Sequence, residues 1–225
     1  MQRNRTMPLK LVVLISGRGS NLAAIAQAID SGACNAQLAL VVSDRKDAAG
    51  LEFARARGVP TALVSLGDHT DRAGWDAALA ATVAHAQPEL VVLAGFMRVL
   101  GPAFLARFPR RVINVHPSLL PLFPGTHGPA KALAAGMRVS GCSVHIVDAG
   151  VDTGPIIAQA AVPVVPGDDV AALHERIQQA EHRLFPRVIA AIAAGTIELS
   201  PELRVRAPPP AETTLFSLEP SHITP

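Results

Sequence analysis

The sequence predicts an α/β fold: a doubly wound, mostly parallel sheet with helices on both faces and a mixed extension of the sheet at its C-terminal end. Three observations predict it. Short apolar runs rich in β-branched residues alternate with segments of helical periodicity, the pattern of strand–helix–strand crossover units. The runs are continuous rather than alternately polar and apolar, as strands covered on both faces are. A glycine-bearing loop, Ser16 to Leu22 (S-G-R-G-S-N-L), joins the first run to the first helical segment, a place where open α/β sheets bind ligands.

Five strands are expected at Leu9–Ile15, Gln37–Ser43, Thr61–Val64, Leu90–Ala94 and Arg111–Val115. Between them, Asn21–Asp30 is a helix stopped by Ser31-Gly32, and Leu51–Arg57 is a helix ended by Gly58 with Pro60 beyond. Arg72–Ala86 carries Trp75, Leu79 and Val83 at helical spacing, with Asp71 in place to cap it. Two further strands are expected at Ser140–Val147 and Ile156–Val164. A long helix then starts near Asp169, with Val170, Leu173, Ile177, Leu184 and Val188 on one face. Pro186 lies inside that pattern and is expected to kink or restart the helix. The whole is Rossmann-like. Residues 1–8 read as a loose leader, 9–200 as one domain and 201–225 as a proline-rich tail.

Of 225 residues, 49% are hydrophobic and 17% charged, which excludes a disordered chain. The net charge is +2 with no dense Lys/Arg run, so no nucleic-acid partner is expected. Arg3, Arg5 and Lys10 precede the apolar Leu11–Ile15, but that run is too short for a secretory signal and Ser16-Gly17-Arg18 interrupts it at once. No run is long enough to cross a membrane. Cys34 and Cys142 show neither a disulfide framework nor metal-ligand spacing. The expectation is a cytoplasmic protein with no membrane partner and no metal.

The chemistry centres on Arg111 to Gly125, R-V-I-N-V-H-P-S-L-L-P-L-F-P-G. In an extended strand residues i and i+2 share a face, so Asn114 and His116 project together, and Pro117, Pro121 and Pro124 end the strand. An amide beside a titratable imidazole suits acyl transfer, which must stabilise an oxyanion and move a proton; it equally suits a histidine bonding to backbone at a strand end. The loop Ser16–Leu22 can turn tightly and offer N–H groups to a phosphate at a helix N-terminus, although Gly17-Arg18-Gly19-Ser20-Asn21-Leu22 lacks the third glycine of a dinucleotide fingerprint. Asp44, after the second strand, could act as the ribose-binding acid of a dehydrogenase. Ala94 to Leu100 (A-G-F-M-R-V-L) could line an apolar pocket or be ordinary core. Asp152, in the turn-rich Asp148–Pro155, is either a turn-former or faces His116, where it would raise the imidazole pKa and fix its tautomer. His145 alternates with Ser143 along a strand and could support the site. A non-catalytic nucleotide-binding module is the reading from a different class.

Taken in order, G-R-G-S-N-L, V-V-L-A-G-F-M-R-V-L, N-V-H-P-S-L-L-P and D-x-G-P resemble the phosphoribosylglycinamide formyltransferases of the purine pathway, within the formyl-folate-dependent formyltransferase superfamily, from about Lys10 to Glu198. The resemblance implies transfer of a formyl group from N10-formyltetrahydrofolate to the amine of 5'-phosphoribosylglycinamide, with folate as co-substrate and no metal. It implies Asn114, His116 and Asp152 as the catalytic trio, beside which Ser143 and His145 are the supporting residues already read from their strand. Gly19, Ser20, Asn21, Gln178 and Glu181 fall on the ribonucleotide site. Arg72, Met97, Arg98, Val99, Leu100, Asn114 and the loop Asp148, Ala149, Gly150, Val151 and Asp152 fall on the folate site. The domain would then divide into a phosphate-binding half, about 9–108, and a folate and catalytic half, about 109–200. Asn114 and a protonated His116 would donate to the oxyanion. The tRNA-modifying and folate-hydrolysing members of the superfamily carry an extra domain, for which no segment is expected here. A monomer or weak homodimer is expected.

Overall fold

The structure, a computed structural model, describes residues 7–199 and a two-residue strand at 204–205. The leader expected at 1–8 and the tail expected from 201 lie almost wholly outside these residues.

Seven strands form one sheet: β1 (Leu9–Ile15), β2 (Ala36–Ser43), β3 (Thr61–Leu63), β4 (Leu90–Leu93), β5 (Val112–His116), β6 (Val139–Ile146) and β7 (Ile156–Pro163). Their spatial order is β3-β2-β1-β4-β5-β6-β7. The first five in space are parallel, while β6 is antiparallel to β5 and β7 to β6. The expected strands are all present, with the mixed extension where it was anticipated. Because β1 pairs with β2 on one side and β4 on the other, the chain winds outward to β3 and then returns past its own start. The crevice at the C-terminal ends of β1 and β4 is therefore the topological switch point, where such sheets place ligands.

The continuous apolar runs have a direct structural cause. Leu11, Val13 and Ile15 of β1 pack into one core with Leu22 and Ile25 of α1 (Ser20–Asp30), Leu51 of α2 (Ala49–Ala56) and Ile177 and Phe185 of α6 (Val170–Ala193). The intervening Val12 and Leu14 pack on the opposite face with Trp75, Leu79 and Val83 of α3 (Arg72–His85) and Phe104 of α4 (Pro102–Arg107). Asp71 caps α3 as expected, accepting from Gly74 N at 2.7 Å. A short α5 (Gly128–Ala134) and a ribbon of β8 (Ile197–Glu198) with β9 (Arg204–Val205) complete the described chain.

Neither α5 nor the β8–β9 ribbon was expected from the sequence, and two further differences have a clear physical cause. Pro186 does not restart α6; the helix runs unbroken from Val170 to Ala193 with Pro186 buried inside. Leu173, Ile177, Phe185, Val188 and Ile189 anchor it on both sides of the proline, and this apolar burial offsets the one backbone hydrogen bond that proline cannot make. Val170, placed on the same face by its spacing, is instead exposed at the first turn. The second difference is α4, for which no helix was anticipated. Its N-cap is Gly101, which has no side chain; the capping acceptor arrives from α3, where buried Asp76 takes Gly101 N at 2.6 Å and Phe104 N at 2.9 Å. No local reading finds a cap 25 residues away in sequence.

Replacing Asp76 by alanine strips both amides of their acceptor in a buried setting. Unpaired buried donors carry the full desolvation penalty, so Asp76→Ala is expected to lower unfolding stability by about 2 kcal/mol or more. Urea denaturation measures it; a midpoint unchanged from wild type would show that α4 does not depend on this cap.

Candidate active site

Asn114 and His116 occupy alternate positions at the end of β5 and share a face. The antiparallel register then sets Asn114 opposite His145 and His116 opposite Ser143. The site's inner polar groups are thus cross-strand neighbours. His145 Nδ1–H donates to the Ile146 carbonyl at 3.0 Å, which leaves its Nε2 free to accept from Asn114 Nδ2 at 3.1 Å and fixes which way the amide points.

After β6 the chain turns back through 147–155. Asp148 builds this turn, its Oδ1 accepting from Thr153 Oγ1 at 2.7 Å and Gly150 N at 3.1 Å. Asp152 adopts φ 55°, a left-handed conformation that aspartate tolerates better than most side chains, and its carboxylate swings onto the pair. Its Oδ2 lies 3.2 Å from His116 Nδ1 and accepts from Gly125 N at 2.8 Å. Its Oδ1 lies 3.4 Å from His145 Nε2 and 3.5 Å from Asn114 Nδ2. The open alternative is settled: Asp148 forms the turn and Asp152 faces His116.

On its other side, His116 Nε2 lies 3.0 Å from the Phe123 carbonyl. Phe123 and Gly125 belong to the proline-bearing loop after β5. Ser143 anchors that loop by accepting from Leu120 N at 2.9 Å and donating to Ser118 O at 2.7 Å. Gln159 of β7 donates to both Ser143 Oγ and Leu120 O. The two backbone groups and Gln159 went unnoticed in the sequence, since only tertiary folding brings them here.

Both groups that face the His116 ring nitrogens are acceptors, so the ring satisfies both only when it holds two protons. Burial nonetheless pushes its pKa below the ordinary value, outweighing the Phe123 carbonyl and the Asp152 charge, which act upward. Asp152 raises the imidazole pKa as anticipated, but desolvation outweighs it. For Asp152 itself burial pushes upward, yet the His145 side chain, the Gly125 amide and the nearby His116 hold it below the usual carboxylate range. The result is an ionised carboxylate beside a neutral ring whose surroundings are arranged to hold one more proton.

A cavity of about 420 Å³ opens over the trio, between the loop after β4 and the loop 147–152. Met97, Val99 and Val151 leave apolar side chains exposed around it, while Phe96 and Leu100 are buried in the core. The stretch 94–100 is therefore part pocket wall and part core. Arg98, Asp148 and Gly150 also line the cavity. Ala149 and Arg72 are not among its lining residues; Arg72 stands behind the wall, donating to the Val99 carbonyl and stacked over Trp75.

A second recess of about 240 Å³ lies against the glycine loop. Gly19 is the αL N-cap of α1, and a Cβ there would come within 2.9 Å of Gly50 Cα. Ser20 and Asn21 follow in the first helical turn, and His174, Gln178 and Glu181 face them from α6. His174 was not among the residues singled out from the sequence, although it precedes Gln178 by one helical turn and Glu181 by two. Asn21 Nδ2 donates to Glu181 Oε2 at 2.9 Å, and the buried Asn21 Oδ1 is left without a partner, an acceptor suited to a ligand's donor. Gly95, Met97, Val115 and Pro117 line both cavities, so the two meet across one wall.

Asp44 does not present a free carboxylate for a ribose, as the dehydrogenase reading needs. Its side chain is 1% exposed and both oxygens are engaged, by Ser16 and Arg98. Among the described residues no group of three or more His, Cys, Asp or Glu side chains is placed to hold a metal ion, and no helix is long and apolar enough to cross a membrane.

The profile of the formyl transferase family matches residues 9–189. The chain is 52% identical over 186 residues to the phosphoribosylglycinamide formyltransferase of Mycobacterium tuberculosis, covering 83% of this chain and 86% of that one. It is 41% identical over 191 residues to the enzyme of the same name from Escherichia coli, covering 85% and 90%. The crystal structure of glycinamide ribonucleotide transformylase 1 from Symbiobacterium toebii superimposes with a TM-score of 0.87 at 44% identity, over 90% of this chain and 96% of that one.

Glu181 supplies a pH signature of the recess. Burial raises its pKa from 4.5 to about 7, against the Asn21 hydrogen bond. A raised folded-state value means the native state binds the extra proton, so the stabilisation is complete below pH 4.5 and is lost as pH rises through about 7. Across that window the melting temperature of wild type is expected to fall relative to Glu181→Gln, whose side chain does not titrate. Parallel curves for the two proteins would show that Glu181 titrates as an ordinary carboxylate.

Proposed function

The chain belongs to the formyl transferase family, and from that premise we propose that it transfers the formyl group of N10-formyltetrahydrofolate to the amine of 5'-phosphoribosylglycinamide in purine synthesis. The observation that carries this reading is the pair of cavities sharing the wall of Gly95, Met97, Val115 and Pro117, with Asn114, His116 and Asp152 at the floor of the larger one. Two ligands seated on either side would bring an amine and a formyl carbon together, which removes much of the entropic barrier of a bimolecular step.

The recess at Gly19, Ser20 and Asn21 takes the phosphate on backbone N–H groups at the start of α1, and Gln178 and Glu181 take the remainder of the ribonucleotide. The larger cavity takes the pterin between Met97, Val99 and Val151, with polar contacts from the backbone of Arg98 and Leu100 and from the loop of Asp148 to Asp152. Arg72 braces that wall through the Val99 carbonyl.

The amine nitrogen attacks the formyl carbon to give a tetrahedral intermediate bearing a negative oxygen. The new C–N bond forms, the bond from that carbon to the folate nitrogen breaks, one proton leaves the amine and one reaches the departing nitrogen. No electron is gained or lost overall. Asn114, fixed by His145, donates to the developing oxyanion, a contact worth about 3 kcal/mol in comparable sites. Neutral His116 is a base whose two acceptor neighbours stabilise the imidazolium once a proton arrives, and it can pass that proton on. Asp152 balances the charge.

His116→Ala is expected to reduce kcat by orders of magnitude while ribonucleotide affinity stays near wild type. Gly19→Val, which forces a branched side chain against Gly50, is expected to weaken the ribonucleotide far more than the folate. Asp152→Asn removes the upward push on His116, so NMR titration is expected to show a lower imidazole pKa, with the acidic limb of the pH–rate profile displaced to lower pH. An unmoved imidazole pKa would remove Asp152 from the mechanism. Binding of both ligands with no turnover by wild type would instead support a non-catalytic module.

A further inference from the structure

The glycine loop and the folate-side loop that follows β4 are joined by a closed ring of hydrogen bonds that the catalytic reading leaves unused. Met97 N donates to Ser16 Oγ at 2.8 Å; Ser16 Oγ donates to Asp44 Oδ1 at 2.6 Å; Arg98 Nε donates to Asp44 Oδ2 at 2.8 Å. Met97 and Arg98 are adjacent, so the ring begins and ends in the same loop. Ser16 is the first residue after β1, Asp44 the first after β2, and Met97 and Arg98 follow β4. One carboxylate thus ties together three strand ends at the switch point. Ser16 adds a fourth link, its N–H donating to Gly95 O at 3.1 Å.

This ring acts on the wall between the cavities. Gly95 and Met97, the two residues held by Ser16, line both cavities, and Ser16 itself lines the smaller one. Arg98 lines the larger cavity with a side chain 41% exposed, whereas the Asp44 side chain is 1% exposed. A buried carboxylate of this kind persists only when its charge is paired and its oxygens are hydrogen-bonded, which holds the guanidinium against it and out of the open space. We propose that Asp44 is a positioning residue for formyl transfer: through Ser16 and Arg98 it sets the glycine loop and the folate-side loop at one separation, so that the two ligands meet in register. The proposal rests on the assignment of the two cavities to ribonucleotide and folate.

The test is steady-state kinetics with formyl-folate and ribonucleotide on Asp44→Asn, Arg98→Gln and the double variant, each with its melting temperature. Asp44→Asn keeps the shape and leaves an oxygen able to accept from Ser16, but sets an amide against the Arg98 N–H. The expected result is a rise of about tenfold in KM for formyl-folate with kcat within about threefold of wild type, and a double variant no worse than Asp44→Asn alone, because the two groups act as a unit. Unchanged KM values with a lowered melting temperature, or strictly additive effects, would overturn the proposal by showing a purely structural ion pair. Should Asp44→Asn not fold, Arg98→Gln, on an exposed side chain, must show the KM rise alone; its absence overturns the proposal equally. Lack of turnover by wild type would overturn the functional reading and this proposal with it, whereas wild-type turnover beside unaltered variants overturns only this one.

Discussion

Where β6 lies antiparallel to β5, Asn114 faces His145 and His116 faces Ser143 across the ladder, and each arrangement in the site follows from that register. Being antiparallel, β6 runs back past the pair, from Ser143 opposite His116 to Ile146 opposite Ile113, and places two polar side chains against it on the way. The loop 147–155 can then drop Asp152 onto His116. A slip of one residue would turn His145 and Ser143 away from this face together, releasing the Asn114 amide and the proline-bearing loop at once. The register is itself secured by Val144 and Ile146, buried among the apolar side chains of the sheet.

Burial and polar pairing act against each other at the two titrating groups that matter most. At His116 burial favours the neutral ring, while a carbonyl and a carboxylate favour the charged one. At Glu181 burial favours the protonated acid and the Asn21 amide favours the anion. In both cases burial prevails and the group rests neutral or close to it. On the proposed function, a neutral resting state suits a site that receives a proton at one place and an already charged phosphorylated ligand at another, since neither event then adds charge to like charge.

Much of this was legible in the sequence because it depends on periodicity. The strands and long helices announce themselves by apolar runs and helical spacing, and the shared face of Asn114 and His116 follows from the strand's two-residue repeat. Asp152 was half legible: its candidacy could be read, but its orientation depends on its left-handed backbone, in a turn that Asp148 ties through Thr153, and on the Gly125 amide that holds its carboxylate. Its effect on His116 was read with the right sign but without the larger desolvation. The helix α4 was hidden because its cap comes from α3. Pro186 misled because a local rule about backbone donors says nothing of how firmly the helix is anchored on either side. Arg72 was placed near the right loop but on its outer side, a distinction that no spacing rule encodes.

The wall of Gly95, Met97, Val115 and Pro117, used by both cavities, also limits how this protein can change under selection. An inhibitor lodged in the larger cavity and pressed against that wall would ordinarily be evaded by altering the surface it touches. Here an alteration that expels the inhibitor also reshapes the smaller recess, the seat we propose for the phosphorylated ligand, so resistance and fitness are coupled at the same four positions. Inhibitors that concentrate their contacts there would leave fewer routes of escape than those leaning on Val99 or Val151, which line only the larger cavity.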